Sequence, residues 1–137
     1  MKNETLNDAF SKMFAQRADQ TAIRFLRKGQ LETALTFHEL NQGANRAGHL
    51  LRDLGIVKGD RVLLFLPKSL IFVTIHLAIQ RVGAVGVPLN PGFKPSEMDY
   101  LIRDTDPKLV VTGKEQETLI HDIDPNMMTL PIPFDIP

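Results

Sequence analysis

A chain of 137 residues, 43% of them hydrophobic, is long enough for one domain with a sizeable core. Sixteen basic and sixteen acidic side chains cancel, so nothing in the charge balance predicts attraction to nucleic acid, to an anionic membrane or to an acidic substrate. There is no cysteine, which excludes disulfides, thiolate catalysis and cysteine-ligated zinc within these residues and is compatible with a reducing, cytoplasmic location.

The first residues, Met1-Lys-Asn-Glu-Thr, lead into a mixed helix and not an apolar signal core. Residues 5 to 18 read as an amphipathic helix, with Leu6, Phe10, Met13 and Phe14 on one face. Asp19-Gln20 closes it. Thr21 to Arg27 and Leu31 to Leu35 read as two short strands, and Lys28-Gly29-Gln30 between them supplies hairpin chemistry. Thr36 and Glu39 have capping-box spacing. The helix they open carries Phe37, Leu40, Ala44, Ala47, Leu51 and Leu54 along one stripe and ends at Gly55, suited to the left-handed conformation.

Lys58-Gly59-Asp60 turns into an apolar run, Val62 to Leu66, of one strand's length. Pro67-Lys68 break it, and Ser69 can cap the helix Leu70 to Val82. That helix is apolar on nearly every face, which predicts burial. Its apolar stretch, Leu70 to Ile79, contains Thr74 and His76 and falls short of the about 20 residues that span a bilayer. No transmembrane segment is expected. Gly83 ends the helix, and a second run, Ala84 to Leu89, stops at the turn Asn90-Pro91-Gly92. Strand, helix, strand in about 30 residues is a βαβ unit with parallel strands and a right-handed crossover.

The alternation continues. Pro95 suits the first turn of a helix whose apolar face is Met98, Leu101 and Ile102, and Asp106-Pro107 ends it. Leu109 to Thr112 reads as a third parallel strand, Lys114 to Asp122 as a short helix and Met127 to Leu130 as a fourth strand. The expected fold is α/β: layered βαβ repeats with a mostly parallel sheet, preceded by helix, hairpin and helix. Thr129 to Pro137 is apolar, with three prolines that prevent a helix. Such an ending suggests one α/β domain, residues 1–137, cut from a longer chain.

Chemistry is sparse. No G-x-x-x-x-G-K-[ST] and no G-x-G-x-x-G is present. Gly83-Ala-Val-Gly86 sits between helix and strand and reads as close backbone packing, since an anion site needs free N–H groups at a helix start. His38, His49, His76 and His121 lack metal-ligand spacing. His76, between Ile75 and Leu77, reads as a core histidine with one hydrogen bond rather than a base. Ser11, Ser69 and Ser96 lie outside any G-x-S-x-G elbow. Asp99, Asp104 and Asp106 read as a solvated face and a helix exit rather than an acid–base pair. The loop Pro88 to Gly92 follows the carboxyl end of a parallel strand, where α/β sheets place ligands, yet a simple turn already explains its residue types.

Several stretches nevertheless resemble the adenylate-forming enzymes. Leu35-Thr-Phe-His-Glu-Leu40 is similar to their first core motif, L-[TS]-Y-x-E-L, with Phe37 for tyrosine. Asn45-Arg46 and Leu50-Leu51 also fit, and Gly59-Asp-Arg-Val62 is similar to the G-D-x-V entry into the next strand. Ile79 to Pro91 resembles the second core motif, L-K-A-G-x-A-Y-x-P-[LI]-[DN]-P, and Glu97, Tyr100, Leu101, Asp104 and Lys108-Leu-Val-Val111 fit the following helix and strand. The match runs in order through most of residues 5 to 112.

The resemblance implies the first part of the large N-terminal domain of such an enzyme, most similar to an acyl-CoA synthetase or fatty-acid–CoA ligase. It implies an acyl-adenylate made from a small-molecule carboxylate and ATP, then a thioester with coenzyme A. Magnesium would neutralise phosphate charge. The family's phosphate loop, magnesium-holding acid, ribose-holding aspartate and C-terminal lysine have no counterpart in these 137 residues. No catalytic, cofactor-binding or metal-binding residue is therefore assigned. ATP, Mg2+ and coenzyme A are expected for the full-length protein, with none bound to this piece, which is expected to be inactive alone. Asn90, Phe37 and Val85 lean toward CoA ligases. The alternatives are an amino-acid adenylation domain of a peptide synthetase and a non-catalytic binding or scaffold module with half the fold. A cut sheet would also leave an exposed edge and the apolar run Met127 to Ile136, which predicts self-association.

Overall fold

In the computed structural model, which describes residues 3–133, the local signals act where the sequence puts them. Helix α1, Leu6–Gln16, starts with a capping box between Thr5 and Asp8. It is shorter than residues 5 to 18, and Leu6 is exposed rather than part of the apolar face. Strands β1, Thr21–Arg27, and β2, Gln30–Thr36, pair antiparallel with Arg27 opposite Gln30. Lys28 and Gly29 between them both have positive φ, 50° and 78°. That is the turn whose twist matches a two-residue hairpin.

Thr36 and Glu39 form the second capping box, opening α2, Phe37–Asp53. Its stripe buries Leu40, Ala44 and Leu51, and Gly55 follows with φ 83°. Ser69 caps α3, Leu70–Arg81: the Phe72 N–H donates to its hydroxyl at 3.1 Å. Small residues let α2 and α3 approach closely. A Cβ added to Gly43 would lie 3.1 Å from the Thr74 methyl.

Four parallel strands make the main sheet: β3, Arg61–Phe65; β4, Val85–Pro88; β5, Leu109–Gly113; and β6, Thr129–Ile132. Their spatial order is β4-β3-β5-β6. Helix α4, Pro95–Thr105, connects β4 to β5, and a 3-10 turn at Lys114–Gln116 leads into α5, Glu117–Ile123. The chain steps from β3 to β4 in one direction and returns across β3 to β5 in the other. Right-handed crossovers then place α3 and α4 on opposite faces.

Side chains sort accordingly. Val62, Leu64, Leu109 and Val111 pack with Leu51, Ile75, Ala78 and Ile79 on one face. Leu63, Phe65 and Val110 pack with Met98, Ile102 and Ile120 on the other. The result is helices, sheet, helices. With both faces covered, β3 and β5 read as unbroken apolar runs.

Two expectations need correction. α3 is not buried all round: Ile75, Ala78 and Ile79 are, but Val73 is exposed and most other positions are half-buried. Its apolar residues serve α2 and α1 as well as the sheet. The fourth strand begins at Thr129, two residues later than expected, because Asp124 to Met127 forms a turn closed by the Met127 N–H on the Asp124 carbonyl. Phe134 to Pro137, the end of the apolar tail, lies outside the described residues.

Candidate functional site

The carboxyl ends of the parallel strands are where this topology can hold a ligand. The strand connections reverse between β3 and β5, and there the flanking loops part to opposite faces. Leu66 to Ser69 follows β3, Leu89 to Lys94 follows β4 and Lys114 to Gln116 follows β5.

The first of these loops borders a cleft of about 470 Å³, lined by Phe25, Arg27, Glu32 and Thr33 from the hairpin and Pro67 to Ile71 from the start of α3. Phe25, Leu70 and Ile71 give apolar walls. Arg27 pairs with Glu32 at 3.1 Å, and Lys68 adds a second cation. Such a cleft can seat an apolar group beside positive charge, but it holds no nucleophile with a base. The cleft was not visible in the sequence, because it joins segments about 40 residues apart. The only local trace was the Pro67-Lys68 break before the Ser69 cap.

The loop singled out from the sequence, Pro88 to Gly92, is a turn fixed by its own residues. The Gly92 N–H donates to Asn90 Oδ1 at 2.9 Å, and the Phe93 N–H to the Asn90 carbonyl at 3.1 Å. It follows β4, one strand away from the reversal. Gly83 and Gly86 are packing glycines. Gly83 has φ 79°, and a Cβ there would lie 3.1 Å from the Lys58 side chain. A Cβ on Gly86 would lie 2.9 Å from the His76 ring. His76 therefore differs from the expected hydrogen-bonded core histidine. Its half-buried ring is held by contact with Gly86 and edge-on with Phe72, centroids 6.1 Å apart.

His121 Nε2 lies 3.2 Å from the Met127 carbonyl and pins the turn before β6. His38 and His49 are exposed. The three aspartates stay apart in role. Asp99 accepts from Arg103 at 2.8 Å on an exposed helix face, Asp104 is exposed, and Asp106 ends α4 in the left-handed conformation, φ 46°. Among the described residues no three His, Asp or Glu side chains come together as a metal site.

One cation does lie among elements. Arg81 stands over the Phe14 ring, 5.2 Å from its centroid, and donates to Asn45 Oδ1 at 2.9 Å and to the Asn41 carbonyl at 3.3 Å. Burial lowers its pKa, and the groups it meets, an amide oxygen, a carbonyl and a ring face, are neutral. It ties α1, α2 and α3 together.

A parallel sheet with helices on both faces, an N-terminal hairpin and a crevice at the strands' carboxyl ends define an open, layered α/β domain. The comparisons make this specific. Residues 10–133 match the family model of AMP-binding enzymes, and the chain belongs to that family. It is 40% identical over 113 residues to the nonribosomal peptide synthetase sidE of Aspergillus fumigatus, covering 82% of this chain and 5% of that protein. It is 34% identical over 92 residues to the long-chain-fatty-acid–CoA ligase FadD13 of Mycobacterium tuberculosis, covering 67% and 18%. The crystal structure of the anthranilate CoA ligase AuaEII in complex with anthranoyl-AMP superposes with a TM-score of 0.79 at 28% identity, over 91% of this chain and 24% of that one. The α/β fold is therefore that of the adenylate-forming enzymes, and the chain spans less than a quarter of each of these proteins. Among the described residues no helix is long and apolar enough to cross a membrane.

Proposed function

We propose that residues 1–137 are one α/β unit, the first part of the large N-terminal domain of an ATP-dependent carboxylate–CoA ligase. In that reaction a carboxylate oxygen attacks the α-phosphorus of ATP. The bond to the β-phosphate breaks and pyrophosphate leaves. The coenzyme A thiolate then attacks the acyl carbonyl and AMP leaves. Magnesium would balance the phosphate charge in the whole enzyme, and the substrate class is a fatty or other organic acid in the cytoplasm. None of the catalytic steps is assigned to a side chain of this chain.

The observation that carries the reading is the family match over residues 10–133. The CoA-ligase assignment is supported by Asn90 in the second core motif and by the likeness to FadD13. The 40% identity to a peptide synthetase favours the second reading, an amino-acid adenylation domain. The chain by itself is proposed to self-associate through an exposed sheet edge.

The test is pyrophosphate release by the protein carrying this chain, with fatty acids, aryl acids and amino acids, with and without coenzyme A. Acid-dependent release coupled to thioester formation supports the ligase. Release with amino acids alone, and no thioester with coenzyme A, supports the second reading. Residues 1–137 alone should release no pyrophosphate and give no saturable heat with ATP and magnesium. Turnover by this piece would overturn its assignment as an inactive part.

A further inference from the structure

Donor atoms from three segments converge where α5 meets β6. Glu117 and His121 stand four residues apart on α5, which puts them on the same face of the helix. Met127 closes the turn that follows, and Thr129 opens β6. The Thr129 hydroxyl lies 3.3 Å from Glu117 Oε2 and 3.4 Å from His121 Nε2. His121 Nε2 lies 3.2 Å from the Met127 carbonyl. All four residues are half-buried. As hydrogen bonds these contacts are long, since O–H···O bonds centre at about 2.7–2.8 Å and N–H···O bonds at about 2.9–3.0 Å. Among the described residues no cation pairs with the Glu117 carboxylate, and a carboxylate drawn out of water without a counter-charge is costly.

The same spacings suit a shared ion. Bonds of about 2.0–2.2 Å from zinc to nitrogen and oxygen set tetrahedral ligands about 3.3–3.6 Å apart. We propose that Glu117, His121, the Thr129 hydroxyl and the Met127 carbonyl form a site for a divalent transition-metal ion of the zinc type, which clasps α5 to β6. The ion supplies the charge that the carboxylate lacks. His121 Nε2 binds it as a bare nitrogen, so the imidazole proton sits on Nδ1 and coordination replaces the contact with the Met127 carbonyl. Glu117 and His121 both touch the Thr129 hydroxyl but make no ion pair with each other, and the ion draws the two together. An imidazole nitrogen among oxygens suits zinc, whereas magnesium demands an octahedron of oxygens. The spacing of the histidines alone does not reveal the site, because a hydroxyl and a main-chain carbonyl supply half of its donors. The role is structural and independent of the ligase reading.

Cobalt(II), whose visible absorption reports tetrahedral coordination, is the probe. The protein carrying this chain should take up a Co2+ ion that Zn2+ displaces and that His121→Ala does not bind. Glu117→Gln, nearly the same shape, should weaken binding by at least about 10- to 100-fold, the loss typical when even a supporting partner of a ligand is removed. Thr129→Val should weaken it less. No saturable binding, or equal binding by the unaltered protein and His121→Ala, overturns the proposal. Hydrogen exchange of the unaltered protein keeps it testable if the variants misfold. Zn2+ should slow exchange of the Leu130 and Ile132 amides, and Mg2+ should not. Exchange that Zn2+ leaves unchanged, or that Mg2+ slows equally, overturns it.

Discussion

Gly86 and His76 are one unit. The glycine lets β4 pass so close to α3 that an added Cβ would meet the imidazole at 2.9 Å. Gly86→Ala should lower stability by about 1–3 kcal/mol, the usual range for overpacking. Adding His76→Ala should recover much of that loss, because the contact and not backbone strain is responsible. Denaturant unfolding of the two single variants and the pair measures the coupling. Equal losses with and without His76 would place the cause elsewhere.

At the other end of the chain, Asp8 accepts from the Thr5 hydroxyl at 2.7 Å and from the Thr5 N–H at 2.9 Å. These bonds, the hydroxyl first, lower the Asp8 pKa; desolvation opposes them, and Lys12 adds a lesser lowering. A carboxylate with a depressed folded pKa contributes stability above its unfolded value of about 3.9, and this is lost as pH falls through the folded value. The amide signals of Leu6 to Gln16 should therefore report fraying of α1 below about pH 4. Asp8→Asn should remove that acid step. The same step in the variant would mean that another group causes it.

Among the elements, α3 depends on one hydroxyl for its start. Ser69 is extended, φ -160° and ψ 167°, and closes the first turn onto Phe72. Ser69→Ala should cost about 1 kcal/mol, with Gly less damaging than Ala. The readout is thermal unfolding, together with exchange rates at the beginning of α3. Element identity was legible because such signals are local: the Thr36–Glu39 box, the Ser69 cap, Pro95 in the first turn of α4 and the positive φ of Gly55. Misjudged ends have equally local causes. The 3-10 turn at Lys114–Gln116 and the turn before Thr129 shift boundaries by one tightly wound turn. The degree of burial of α3 was not legible. An apolar residue such as Val73 tells nothing of whether another element happens to cover it.

For the whole molecule, β3 is the hinge of the architecture, paired on both sides and covered on both faces. Leu64 is fully buried among α2- and α3-facing side chains. Leu64→Ala should destabilise by about 2–5 kcal/mol, a large part of the about 5–15 kcal/mol of a typical domain. Circular dichroism should then show loss of helix and sheet in one transition at lower denaturant. Retention of the full stability would show that the two faces are not coupled through this strand.

The sequence by itself determined the kinds of elements, their order, the parallel pairing and, through its ordered motifs, the family. Those follow from caps, glycines and apolar periods that lie within a few residues of one another. It was silent on chemistry for a physical reason too: no cluster of titratable or nucleophilic side chains was spaced for it. Only the tertiary structure decided the order β4-β3-β5-β6 and the reversal between β3 and β5. It alone brought Phe25 and Arg27 across to Pro67 and Lys68 and set His76 against Gly86. Each of these depends on which distant segments meet and in which register, and register is fixed by packing both faces of the sheet at once, not by any one segment's own pattern.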